Sequence, residues 1–224
     1  GGSAPIKRRE VVDSSVLESA LVRMGRPLTQ GPSQQGDAEG PDFGAAKSSL
    51  RSEDARLLGT IVHWMFEHFP RDCAVDKSSL PDLFERAARL VSPGKPLSAE
   101  LRERADALIR SLGNGRLIAR FEEVEVLGVE VPMTLRSSGT EGPVVAWVGT
   151  IDLIFRDPDT SRLVVADFKT TSVNGRDPEA IAAQYRGQGD AYTEALQSAL
   201  SLAERPVFEV WFVEIDDWVA LPIA

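Results

Sequence analysis

Apolar side chains recur along this chain in two rhythms. Leu58, Ile61, Val62, Met65 and Phe69 return at intervals of three and four, as do Leu80, Leu83, Phe84, Ala87, Ala88 and Val91, and then Leu101, Ala105, Leu108 and Leu112. That spacing lines one face of a helix and predicts three amphipathic helices, over about 53 to 69, 79 to 91 and 99 to 112. Ser52 with Glu53 and Asp54 marks the first start, Pro70 its stop, and Gly113-Asn114-Gly115 ends the third. A longer helix opens at Asp177-Pro178-Glu179 and carries Ile181, Tyr185, Gln188, Tyr192, Ala195, Ala199 and Leu202. Gln188 interrupts its stripe between Gly187 and Gly189. Each glycine costs about 1 kcal/mol in a helix interior, so either something approaches this backbone closely or the helix kinks there.

The second rhythm is that of strands. From Val144 to Phe155 and from Leu163 to Lys169, β-branched and aromatic residues dominate, while Arg156 to Arg162 between them is turn chemistry. An earlier strand carries Val129, Val131, Met133 and Leu135 on one face and Glu130 on the other, and two more strands are expected at 207 to 214 and 218 to 223. The order of elements is that of an α/β domain spanning 51–224. Before it, Gly1-Gly2-Ser3, a short helix over Val11 to Met24 and a stretch from Arg26 to Ser49 rich in Gly, Ser, Pro and Gln read as a tail or linker over 1–50.

Two of these strands carry charge where packing wants none. With the turn centred near Asp159, Asp152 faces residue 166 or 167 on the next strand, which brings the carboxylates of Asp152 and Asp167 to cross-strand distance, roughly 5 Å between Cβ atoms. The period of two puts Lys169 on the face of Asp167 and Phe168 on the opposite one. Burying such a set without a function would cost several kcal/mol. A divalent cation removes the repulsion and keeps both acids ionised, and a few hard oxygen ligands suit Mg2+, with Mn2+ as a substitute.

Those residues resemble the RecB-like branch of the PD-(D/E)XK nucleases. Asp152 falls on the first motif's acid, and Asp167-Phe168-Lys169-Thr170 is close to the branch's Asp-Tyr-Lys-Thr. His63, in Gly59-Thr60-Ile61-Val62-His63, resembles the helical histidine that completes the metal site. Gln188 and Tyr192 match the Gln-x-x-x-Tyr element, and Glu130-Val131-Pro132 resembles a Glu-x-Pro segment.

The resemblance covers about residues 56 to 215. It implies a restriction-endonuclease-like core, a central mixed β-sheet flanked by helices. It also implies a Mg2+ site held by His63, Asp152, Asp167 and the Phe168 backbone carbonyl, with Lys169, Gln188 and Tyr192 serving catalysis. Glu130 would be a ligand, a partner of one, or a phosphate-positioning residue, and without the resemblance it reads equally as a solvated strand glutamate. Without the resemblance, His63 at the edge of its stripe reads as a packing residue; His68 faces solvent.

The implied activity is a deoxyribonuclease, an exonuclease acting on a single strand that a helicase motor delivers, in double-strand break repair and recombination. The alternatives are a catalytically silent module that binds DNA ends or a partner, and a hydrolase of another phosphoester.

Composition narrows this picture. The 224 residues are 42% hydrophobic and 26% charged, enough for one packed domain and a tail. A formal charge of −9 argues against gripping DNA chiefly through a basic surface. Arg102, Arg104, Arg110, Arg116 and Arg120 gather positive charge, as a solvated face or as the lining of a strand path. Cys73 is the only cysteine, so this chain alone cannot assemble the iron-sulfur cluster that some RecB-like nucleases carry. There is no Gly-x-x-x-x-Gly-Lys-Ser/Thr phosphate loop, which leaves the motor to another part of the chain or complex. No stretch nears the roughly 20 apolar residues of a membrane span and no signal peptide is read, so the expected location is the bacterial cytoplasm.

Overall fold

The computed structural model describes residues 29–30, 52–69, 79–113, 115–136 and 146–222. The expected helix over Val11 to Met24 and the stop at Pro70 lie outside the described residues. Apolar periodicity becomes helix where it is strongest: α1 (Ser52–Glu67), α2 (Leu80–Val91) and α3 (Ala99–Gly113). A further helix, α4 (Arg116–Glu123), follows immediately, where the sequence reading has none. Its first N–H groups need an acceptor, and a distant one supplies it: Asp216 accepts from Arg116 N at 2.6 Å and from Leu117 N at 3.1 Å. The same carboxylate occupies the space that a Cβ on Gly115 would need.

The strands are β1 (Thr29–Gln30), β2 (Glu125–Arg136), β3 (Ala146–Arg156), β4 (Leu163–Lys169), β5 (Val207–Phe212) and β6 (Asp217–Leu221). They form one mixed sheet in the order β2-β3-β4-β5-β6, with the short β1 beside the start of β3. The β4–β5 pair is parallel, and β2–β3, β3–β4 and β5–β6 are antiparallel. This is the expected α/β core, a central mixed sheet flanked by helices.

The long helix expected from residue 178 is broken. Asp177 caps α5 (Pro178–Ala182) by accepting from Glu179 N at 3.0 Å, a 3-10 turn covers Ala183–Tyr185, and α6 (Arg186–Leu200) resumes. The approach signalled by the glycines is that of the sheet itself: a Cβ on Gly189 would run into the Phe208 ring of β5. This close contact seats α6 on β5 and places Gln188 over the end of β4.

Two apolar layers cover the sheet. On one face Phe66, Phe84, Leu101, Leu117 and Phe121 of α1–α4 pack on Leu153, Phe155, Ala166, Phe168 and Trp211; on the other Ile181 and Tyr192 pack on Ile154, Val165, Phe208 and Val210. The expected arginine-rich patch is largely neutralised. Arg102 pairs with Glu85, Arg104 with Glu214 and Arg116 with Asp217. Arg120 is half-buried in a latch, 2.6 Å from Glu209 and 3.3 Å from Asp157, with its guanidinium over the Trp218 and Phe155 rings. This latch ties α4 to three strands.

Two irregularities prepare the site. Pairing between β3 and β4 runs from Arg156 to Leu153 and stops, while β3 continues beside β2 to Ala146. The sheet forks just past Leu153. At the same level Val129 and Leu153 pack with the α1–α4 layer but Val131 and Ile151 with the other, although residues two apart on a strand should share a face. The single face expected through Val129, Val131 and Met133 therefore breaks at Glu130, whose φ of 49° is left-handed and costs a non-glycine residue about 1–2 kcal/mol.

The β3–β4 turn sets the register at the fork. Asp157 N donates to Arg162 O, and Asp157 Oδ1 accepts from Asp159 N, Thr160 N and Thr160 Oγ1 at 3.2, 2.9 and 2.9 Å. Burial alone would raise the Asp157 pKa, but the Thr160 bonds and the Arg120 charge hold it below the usual carboxylate range. Asp157→Ala is expected to cost about 1–3 kcal/mol at pH 7. Because the folded pKa is depressed, that difference is fully present above about pH 4 and is lost as pH falls through the folded value. Urea unfolding of both proteins between pH 7 and 2.5 measures it.

Candidate active site

Counting back from the Leu153–Ala166 pair, Asp152 and Asp167 are the first opposed residues beyond the end of the ladder. Both are buried, 5% and 2% exposed. The Phe168 N–H, no longer used by β3, donates to Asp152 Oδ2 at 2.7 Å. The Phe168 ring points into the α1–α4 layer, stacked on Phe66 with centroids 4.3 Å apart and edge-on to His63 at 5.7 Å.

Asp167 faces the other layer. Its Oδ1 accepts from Gln188 Nε2 at 2.7 Å, and Gln188 Nε2 also donates to Tyr192 Oη at 2.9 Å. The helical spacing of four in α6 brings Gln188 and Tyr192 together, so one amide holds a strand acid and a helix phenol. Lys169 Nζ lies 2.7 Å from Asp167 Oδ2, yet that buried oxygen receives no well-aligned hydrogen bond. A carboxylate oxygen left with only a charge contact is a ready ligand.

His63 projects from α1 across the fork. Its Nδ1 is 3.0 Å from Glu130 Oε1 and 3.4 Å from Asp152 Oδ1, and the ligand atoms of His63, Glu130 and Asp152 all lie within 4.8 Å of one another. The strained backbone of Glu130 is what turns its carboxylate into this group. The fold thus brings the ligand atoms of His63, Glu130 and Asp152 into one group, while Asp167, expected as a ligand beside them, lies outside that group opposite Asp152, with Lys169 and Gln188 on its carboxylate and Tyr192 behind Gln188. His68 stacks on Trp64 at the surface and takes no part.

Tyr185 joins them without a sequence signal of its own. It reads as one more apolar stripe position, but the 3-10 turn sets its ring 4.5 Å from Lys169 Nζ.

Electrostatics follows from burying these charges together. Burial and the charge of Asp167 push the Asp152 carboxyl up to about 8. Burial alone would lower the His63 pKa, but the Glu130 bond and the charges of Asp152, Glu130 and Asp167 raise it to about 9. Lys169 is likewise raised, the attraction of Asp167 outweighing its burial, and Tyr192 is pushed up to about 12 by burial and Asp167. With no cation bound, a proton on Asp152 relieves its burial and its repulsion from Asp167.

The donor set fits a divalent cation. Carboxylate oxygens of Glu130 and Asp152 converge with the His63 imidazole, and on the opposed acid Asp167 Oδ2 lacks an aligned donor, with Lys169 Nζ beside it. A cation must displace the protons held by Asp152 and His63. Mn2+ affinity should therefore rise with pH, about tenfold per pH unit for each proton displaced, and level off above about 9, the raised value at His63. Calorimetric titrations between pH 6.5 and 9.5 check this; an affinity flat across that range contradicts it.

No curated protein matches the chain. The family model described as the PD-(D/E)XK nuclease superfamily matches residues 42–219, a span that takes in the sheet fork, α1 and α6. Two opposed acids and a lysine at the end of a forked mixed sheet, together with that match over most of the sequence, establish that the chain belongs to the PD-(D/E)XK nuclease superfamily.

Proposed function

We propose that this chain is a Mg2+-dependent deoxyribonuclease of the RecB-like branch, with Mn2+ as a substitute cation. The observation that carries the reading is the buried pair Asp152 and Asp167 at the fork, with Lys169 Nζ 2.7 Å from Asp167. His63 on a helix and Gln188 with Tyr192 on another support the branch assignment, because they meet the same two acids.

In this reading His63, Asp152, Asp167 and the Phe168 carbonyl hold the cation, and Glu130 either joins them or orients His63. A bound cation supplies a water of lowered pKa and polarises the scissile phosphate. Lys169, charged throughout the neutral range, orients the attacking water and stabilises the negative charge that grows on the phosphate. Gln188 fixes the Asp167 carboxylate so that its other oxygen stays available, and Tyr192 fixes Gln188. The roles divide by layer: α1 and the β2 kink complete the cation site, while α6 orients the acid and the lysine.

The neutralised arginines favour a substrate delivered by something else over one captured by charge. The RecB-like resemblance supplies the rest of the proposal: an exonuclease on a single strand fed by a helicase motor, in double-strand break repair and recombination.

Labelled linear single- and double-stranded DNA, incubated with Mg2+, with Mn2+ and with chelator, tests the activity directly. The wild-type chain should cleave only with metal. Asp167→Ala and Lys169→Ala should each lower the rate by at least about 100-fold while the far-ultraviolet spectrum stays that of the folded wild type. Full metal-dependent cleavage by either variant refutes the assignment, and DNA binding without turnover by the wild type replaces it with the silent-module reading.

A further inference from the structure

The Lys169 ammonium has two neighbours of opposite kind. One is the Asp167 carboxylate, 2.7 Å away, and the other is the face of the Tyr185 ring, whose centroid lies 4.5 Å from Nζ. Tyr185 ends the 3-10 turn that interrupts the helix, one turn ahead of Gln188. A single stretch of backbone therefore delivers one contact to Asp167 and another to Lys169.

We propose that Tyr185 is a positioning residue of the active site: its ring face holds the Lys169 ammonium at the reacting phosphate when the Asp167 carboxylate is shared with a cation. This rests on the nuclease reading above. Lysine is a point charge on a flexible four-carbon stem, and an ion pair alone fixes its distance better than its direction. Asp167 is also the wrong sole anchor, since the cation bound there competes for the same oxygen and weakens its pull on the ammonium. An aromatic face attracts the ammonium through its quadrupole and gives a hard divalent ion nothing to bind. The attraction is strongest where water is excluded, and the Lys169 side chain is only 19% exposed. Gln188 engages Asp167 and Tyr192 engages Gln188, which leaves Tyr185 as the aromatic group on the ammonium among the described residues.

The test separates ring face from hydroxyl and from bulk. Tyr185→Leu should lower kcat for a labelled oligonucleotide roughly tenfold or more, with KM for DNA and Mn2+ affinity within about threefold of wild type. Tyr185→Phe, which retains the face, should restore kcat to near wild type. Placing mono-, di- and trifluorinated phenylalanine at 185 weakens the quadrupole at nearly constant shape, so kcat should fall stepwise along the series. Independently of turnover, the Lys169 ε-methylene resonance of 13C-lysine-labelled protein should be shifted upfield by the ring in wild type and Tyr185→Phe and return to the ordinary position in Tyr185→Leu.

A Tyr185→Leu enzyme with wild-type kcat, a Tyr185→Phe enzyme as impaired as Tyr185→Leu, or a flat fluorination series each overturns the proposal. Should Tyr185→Leu fail to fold, the fluorinated series decides alone. An inert wild type sinks the nuclease reading and this role with it, whereas an active wild type with an unaffected Tyr185→Leu sinks this role only.

Discussion

Two carboxylates buried side by side repel, and the local architecture around Asp152 and Asp167 answers that repulsion. The β3–β4 ladder ends one residue before the pair, which frees the Phe168 N–H for Asp152 and opens room between the strands. Gln188 and Lys169 take up Asp167, while His63 takes up Asp152. Remove the pair and these partners would themselves be half-satisfied polar groups inside an apolar shell. The acids are therefore the keystone of a network whose members have little independent reason to be buried.

The network is held from two sides by ordinary packing. The α1–α4 layer positions His63 through the stripe of Leu58, Ile61, Val62, Met65 and Phe66, and the Arg120 latch and the Asp216 cap keep that layer in place on the sheet. On the other side, the missing Cβ of Gly189 lets α6 sink against Phe208. Both layers converge on the fork, so the site depends on two helical layers packed on opposite faces of one sheet.

Much of this arrangement is legible in the sequence because it is local. The opposition of Asp152 and Asp167 follows from a short turn and a period of two, and the polar Gln188 in an apolar stripe announces itself. What is not legible depends on distant partners. α4 has only eight residues, and its start depends on a carboxylate 100 positions later in the chain. The regular face expected of β2 fails because the chain turns left-handed at Glu130, where its carboxylate meets His63 of the distant α1. The glycines beside Gln188 signal a close approach, but only the fold says that the approaching group is Phe208. Tyr185 is read as core because periodicity cannot foresee the 3-10 turn.

Phe168 belongs at once to the aromatic cluster of Phe66 and Trp211 and, through its backbone, to the acid it hydrogen-bonds. Hydrophobic interior and reactive chemistry thus share one residue, with no compliant spacer between them. A repacking that slides this ring by a fraction of an ångström displaces the amide that Asp152 leans on. Evolution of the interior and evolution of the catalyst are mechanically geared together here, so substitutions far beneath the surface can retune the cation's seat without touching any of its ligands.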